Sequence, residues 1–264
     1  MESLNRMTVI VKDNGLGIKN IIINEPKTYN SLSFKTLNIL INIFKRLEKD
    51  NKTRVIILSG NGKGFSAGHN LKEVKNLKVR SKYLKLFNLC SKLMLNIVEG
   101  RKPVIAKVHG SAFAAGCQLA ASCDLAYAST DAKFATPGVN IGLFCSTPMV
   151  AVSRKIGKKR MMKMLLTGEP INAKYAKEIG FVNHIYETHE ELINGAMDLA
   201  KDIASNSPLV IKGVKMMLDK GEELTADQSL DLVRMWSTSF LTSEDLKEGV
   251  FAMMEKRDPK FKGK

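Results

Sequence analysis

The chain has 264 residues, 44% of them hydrophobic and 25% charged, with a formal net charge of +15. That length buries one large core without staples, and the composition is ordinary for a globular protein. No apolar run reaches the roughly eighteen residues of a membrane-spanning helix, and the first fifteen residues, MESLNRMTVIVKDNG, carry no leader signature. The positive charge fits a polyanionic partner or a phosphorylated ligand, and equally a coding bias toward Lys, Asn and Ile; it does not choose between them.

In chain order, Thr8–Val11 and Ile18–Ile23 read as a hairpin with Gly15 and Gly17 near its turn. Ser33–Lys49 reads as an amphipathic helix: Leu37, Leu40, Ile41, Phe44 and Leu47 recur at helical spacing behind a capping Ser33. Val55–Leu58, bounded by Gly60 and Gly62, is a continuous apolar run and so a buried, parallel strand. A second long helix spans Val79–Val98. Val104–Val108, Leu125–Ala128 and Phe181–Ile185 read as further buried strands between helical stretches. The rhythm is α/β with crossover connections. After about Glu187 the pattern is helical only. Ser207 caps a helix with Pro208 in its first position, and Thr242–Asp245 has the form of a capping box opening the last one. The division expected is a core over 1–186 and a helical region over 187–264.

Two turns carry chemistry. Ala112, Ala114, Ala115 and Gly116 follow the strand at Val104–Val108 and open a short helix, leaving free amides that favour negative charge. Ser66-Ala67-Gly68 forms a second small-residue turn after the strand at Val55–Leu58. One such turn is equally a tight connection; two, each behind a buried strand, can converge two amides on one carbonyl oxygen. Nucleotide-binding GxGxxG and GxxxxGK[ST] motifs and the hydrolase GxSxG are missing from the sequence. His184 and His189 lack zinc spacing and His109 stands at a strand end, so no metal site is expected. Cys90, Cys117, Cys123 and Cys145 form no CxxC, which points to a reducing, intracellular compartment, mitochondrial matrix or cytoplasm.

Four strings in order, FSAGHNLKE, HGSAFAAGCQLAASCDLAYA, FATPGVNIGL and TSEDLKEGVFAMMEKRDPKF, resemble the crotonase, or enoyl-CoA hydratase/isomerase, family from about residue 8 to 262. Within it, AAGCQLAASCD and IGLFCSTP are most similar to the enoyl-CoA hydratase domain-containing protein 3 subgroup. The resemblance implies a spiral of ββα units with a C-terminal helical region, a trimer or dimer of trimers, and a coenzyme A thioester as ligand with no permanently bound cofactor. It implies that the backbone N–H groups of His69 and Ala115 hold the thioester oxyanion. It places the carbonyl of Ala67 at the adenine, and Lys256 at a coenzyme A phosphate of a neighbouring subunit.

The departures are as specific as the matches. The two glutamates of the hydratases fall at Gln118 and Gly138, and neither residue transfers a proton. Glycine there reads as open space. Ordinary hydration is therefore not expected, nor is the isomerase chemistry that keeps the later glutamate. Ser146 matches a position where some acyl-CoA hydrolases carry an aspartate; it and Cys145 are candidate pocket groups, and equally polar filler at a helix start. Enolate-forming steps such as decarboxylation need chiefly the oxyanion site and survive the loss. Three readings stand: a crotonase-type acyl-CoA enzyme without the glutamate pair, a non-catalytic acyl-CoA-binding or assembly protein on the same fold, and an RNA-binding relative using Lys72, Lys75, Lys78, Arg80, Lys82 and Lys85. The last lacks interleaved aromatics, so nucleic acid is disfavoured.

Overall fold

The structure, a computed structural model, describes residues 7–264; Met1–Arg6, the first part of the stretch read for a leader, lie outside the described residues. A hairpin of β1 (Val9–Asp13) and β2 (Ile18–Ile23) starts a six-stranded sheet. It continues in parallel through β3 (Val55–Gly60), β4 (Val104–Val108), β6 (Leu125–Ser129) and β9 (His184–Tyr186), in the order β1-β2-β3-β4-β6-β9. A small sheet of β5 (Ser111–Phe113), β7 (Lys133–Ala135) and β8 (Ile171–Asn172) lies alongside, with β5 and β7 parallel. Successive parallel strands are joined by crossovers, as parallel pairing requires. The expected α/β spiral of ββα units is what the chain forms.

The alternation of side chains along β3 shows why its whole length is apolar. Ile56 and Leu58 enter the main core, beside Leu37, Leu40 and Phe44 of α1 (Phe34–Lys49) and Leu86, Leu93 and Ile97 of α3 (Arg80–Val98). Val55 and Ile57 face a second cluster with Ile18, Ile105, and Ala200 and Ala204 of α8 (His189–Ser205). Both faces are covered, so neither can be polar. Ser33 caps α1, its hydroxyl accepting from the Thr36 amide.

The remaining helices are α2 (Leu71–Lys75), α4 (Ala115–Ser122), α5 (Ser146–Ile156), α6 (Lys158–Thr167), α7 (Ala173–Glu178), α9 (Pro208–Gly221), α10 (Ala226–Phe240) and α11 (Glu244–Glu255). Lys215 of α9 ties the helical region to the core: its ammonium reaches Asp124 (2.8 Å) and the carbonyls of Ile97 and Lys102 (2.7 and 3.1 Å). All three of its protons are used. Ser207 caps α9 as expected.

Two expectations shift. The strand expected at Phe181–Ile185 begins at His184; Phe181 and Val182 are buried in the preceding turn, where both amides donate to the Ala176 carbonyl. The last helix is capped by Ser243 rather than by a box from Thr242. Asp245, which the box would have used, instead accepts from the Ser207 hydroxyl and the Lys262 and Gly263 amides.

Candidate active site

Three turns meet at one end of the parallel stretches. Ser66 bridges Ala112 in parallel, and Phe113 pairs with Ala135, so the turns at 67–69, 113–115 and 136–138 are brought together beyond the strands' carboxyl ends. That is where ligands bind in α/β folds.

The first turn is held from behind. Asn30, fully buried, accepts from the Glu25 amide and donates to the carbonyls of Asn61 and Gly64. The Tyr29 carbonyl takes the Ala67 amide (2.9 Å), the Asn30 carbonyl takes the Ser66 hydroxyl (2.9 Å), and Leu32 donates to the Gly68 carbonyl (2.7 Å). Gly68 sits at φ +86°, and a Cβ there would stand 2.8 Å from the Phe113 carbonyl oxygen and 3.0 Å from the Ala115 nitrogen. Only glycine allows so close an approach.

The second turn pays in strain. Ala114 adopts φ 49°, ψ −118°, a conformation costing a non-glycine residue about 1–3 kcal/mol. Its amide donates to Ala135 and its carbonyl accepts from Gln118, which fix it there. Ala115 is thus the first residue of α4, where an amide has no intrahelical acceptor. Among the described residues, neither the His69 nor the Ala115 amide has a backbone acceptor.

His69, Ala67 and Ala115 line a cleft of about 670 Å³, together with Gly138 and Ser146. The His69 ring packs against Phe87, centroids 5.8 Å apart, and burial lowers its pKa, opposed by the Leu32 carbonyl and Glu73. Its imidazole is therefore neutral near pH 7. Among the described residues no Asp or Glu lines the cleft, and Arg80 is the one fully charged side chain that does.

Gln118 is buried, and its Oε1 accepts from the Thr147 hydroxyl at 2.9 Å. It stands behind Thr147, which lines the cleft, while Gln118 is not among the lining residues. Thr147 belongs to the string whose Ser146 was singled out from sequence; its pairing with Gln118 across 29 positions has no sequence signal.

Gly138 is not open space. A Cβ there would meet the Leu143 carbonyl at 2.7 Å and the Cys145 nitrogen and sulfur at 3.0 and 3.1 Å. The loop 143–145 has closed over the position, with the Gly138 amide donating to Cys145 Sγ at 3.3 Å. Burial raises the Cys145 pKa, so this sulfur is a thiol, a poor nucleophile. Ser146 lines the cleft as the first residue of α5. Lys256, in the left-handed cap that ends α11, does not line this cleft.

Residues 13–264 match the family model for enoyl-CoA hydratase/isomerase. The chain belongs to this family. It is 41% identical over 243 residues to the human mitochondrial enoyl-CoA hydratase domain-containing protein 3, covering 92% of this chain and 80% of that protein. The crystal structure of human enoyl coenzyme A hydratase domain-containing protein 3 superposes with a TM-score of 0.92 at 39% identity, covering 97% of this chain and all of that one (100%). An enoyl-CoA hydratase from Mycobacterium smegmatis superposes at 0.94 with 36% identity, covering 97% of this chain and 99% of the other. The crotonase fold read from the four strings, and the subgroup read from AAGCQLAASCD and IGLFCSTP, are thereby shown.

Proposed function

We propose that this member of the enoyl-CoA hydratase/isomerase family binds acyl-coenzyme A thioesters and polarises the thioester carbonyl between the amides of His69 and Ala115. The observation that carries this is the contact of the two turns at Gly68: two acceptor-free amides stand at the wall of one cleft, set by a glycine and a strained alanine. Donors fixed in that way stabilise charge as it develops on the oxygen, and loss of one costs about 10²–10³-fold in rate.

The chemistry is of the enolate-forming kind, without the glutamate pair. Gln118 can orient a group through Thr147 but takes no proton, and the Gly138 position is filled by the 143–145 loop. Crotonyl-coenzyme A hydration is not expected. The cleft's lack of carboxylates also favours a second reading, a non-catalytic acyl-coenzyme A binder on the same fold. Incubating the protein with enoyl-, hydroxyacyl- and malonyl-type thioesters decides between them: turnover of any supports the enzyme, binding without turnover the binder, and absence of binding overturns both.

The assembly we propose is a trimer or dimer of trimers. α10 has no fully buried residue, and Leu230, Met235, Leu241, Phe251, Met253 and Met254 of the helical region are largely exposed. Lys256 then serves the ligand of a neighbouring copy. A monomer in analytical ultracentrifugation contradicts this. The mitochondrial names of the relatives support a place in the mitochondrial matrix, with four free, buried cysteines suited to a reducing compartment.

A further inference from the structure

The cleft's charge is one-sided. Among the described residues its lining holds no carboxylate, and Arg80 is its single permanent charge. Among the described residues Arg80 has no ion-pair partner. Lys72, Lys75, Lys78, Lys82 and Lys85 are its neighbours in sequence and outnumber the single acid of that stretch, Glu73, whose Oε2 accepts from the Phe34 amide. Arg80 is exposed, so its guanidinium stands free at the cleft, open to an anion carried in by the ligand.

Its position narrows which anion. Arg80, Tyr83 and Phe87 line the cleft from one face of α3, as their three- and four-residue spacing dictates. Phe87 packs on His69, at the turn that holds the thioester carbonyl in the reading above, on which this inference rests. Arg80 lies seven residues toward the helix start, about 10 Å away at 1.5 Å per residue. Leu71, Val74, Leu86 and Phe144 line the same cleft, so an acyl chain meets apolar side chains along it. An extended chain covers ~1.2 Å per bond, as an extended backbone does, so a medium-length acyl chain reaches from one to the other.

We propose that the cleft is built for acyl thioesters whose far end carries a second anionic group, a carboxylate, held by the Arg80 guanidinium. The planar fork of arginine accepts a carboxylate through two parallel hydrogen bonds, and an apolar corridor rewards the methylenes between. Tyr83 contributes its ring only, because its hydroxyl donates to the Val74 carbonyl at 3.2 Å.

Calorimetric titration with three probes tests this: octanoyl-, suberoyl- and succinyl-coenzyme A, on the wild type, Arg80→Gln and Arg80→Lys. Suberoyl- is expected to bind at least tenfold tighter than octanoyl-coenzyme A to the wild type. Arg80→Gln erases that preference while changing octanoyl binding less than twofold, and Arg80→Lys retains part of it. Succinyl-coenzyme A, too short to reach, is indifferent to the substitution. Equal weakening of all three by Arg80→Gln would assign the arginine to the coenzyme A phosphates and overturn the inference. Octanoyl binding with no suberoyl preference overturns it while leaving the thioester reading intact; no binding of any probe removes that reading as well.

Discussion

The molecule uses buried charge in one place and avoids it in another. Where α9 meets the core, Lys215 and Asp124 form an ion pair in which every lysine proton has an acceptor. Burial pushes the Asp124 carboxyl up, with Lys215 and the Val104 amide pulling it down. At the cleft the thioester carbonyl is met by backbone, two free amides set by a glycine and a strained alanine, with no carboxylate among the described lining residues. Charge at the joint holds the fold, whereas the cleft leaves the negative charge to the ligand. A site made of amides keeps its geometry independent of pH, but it can do only chemistry in which the ligand supplies the proton or leaving group.

The joint gives the largest expected effect. Lys215→Met takes the cation from Asp124 and three charge-assisted hydrogen bonds from the joint, which costs about 3 kcal/mol in chemical denaturation; thioester affinity of the remaining folded protein is unchanged. A loss below about 1 kcal/mol would show that the pair is not structural. The cleft is broken at its own weakest point by Gly68→Val. The side chain strikes the Phe113 carbonyl and the Ala115 amide in a left-handed backbone, so about 1–3 kcal/mol of stability goes. Thioester affinity falls with it. Preserved affinity would place the ligand elsewhere.

Gln118→Glu combined with Gly138→Glu restores both carboxylates in sequence only. Since the 143–145 loop occupies the second position, the double variant gains no crotonyl-coenzyme A hydration and loses stability. Measurable hydration would show that the loop yields.

The smallest effect concerns pH. His109 is buried, its Nε2 lies 2.7 Å from the Gly62 carbonyl, and its Nδ1 has no partner. Burial lowers its pKa below 6.5, with Gly62 and Asp131 opposing. The unfolded chain therefore binds the proton first as pH falls. The stability contributed by the neutral ring is fully present above 6.5 and is lost below it, at up to about 1.4 kcal/mol per pH unit. Thermal melts between about pH 7 and 5 should fall more steeply for the wild type than for His109→Gln; parallel slopes contradict this.

Periodicity and capping were enough for the long elements. The stripe of Leu37, Leu40, Phe44 and Leu47, the Ser33 cap and the apolar run at Val55 each have one reading, and the structure has it. The small sheet was not legible. Ser111–Phe113 and Lys133–Ala135 are three residues each, too short for a period, and they exist because they pair with each other. At the site, the two small-residue turns and the absent glutamates are local facts of sequence. The closure over Gly138, the Thr147–Gln118 bond and the isolation of Arg80 are relations between distant segments, which no local pattern encodes. Reading glycine as space failed for that reason: the space belongs to Leu143 and Cys145.

In the proposed site two backbone amides pull electron density onto the thioester oxygen. The infrared carbonyl stretch of isotopically labelled octanoyl-coenzyme A, bound to the wild type and to Gly68→Val, tests it most directly. A clear shift to lower frequency is expected on the wild type, diminished in whatever fraction the variant binds. A ligand shown by calorimetry to be bound, with its carbonyl stretch where it lies in water, would contradict it.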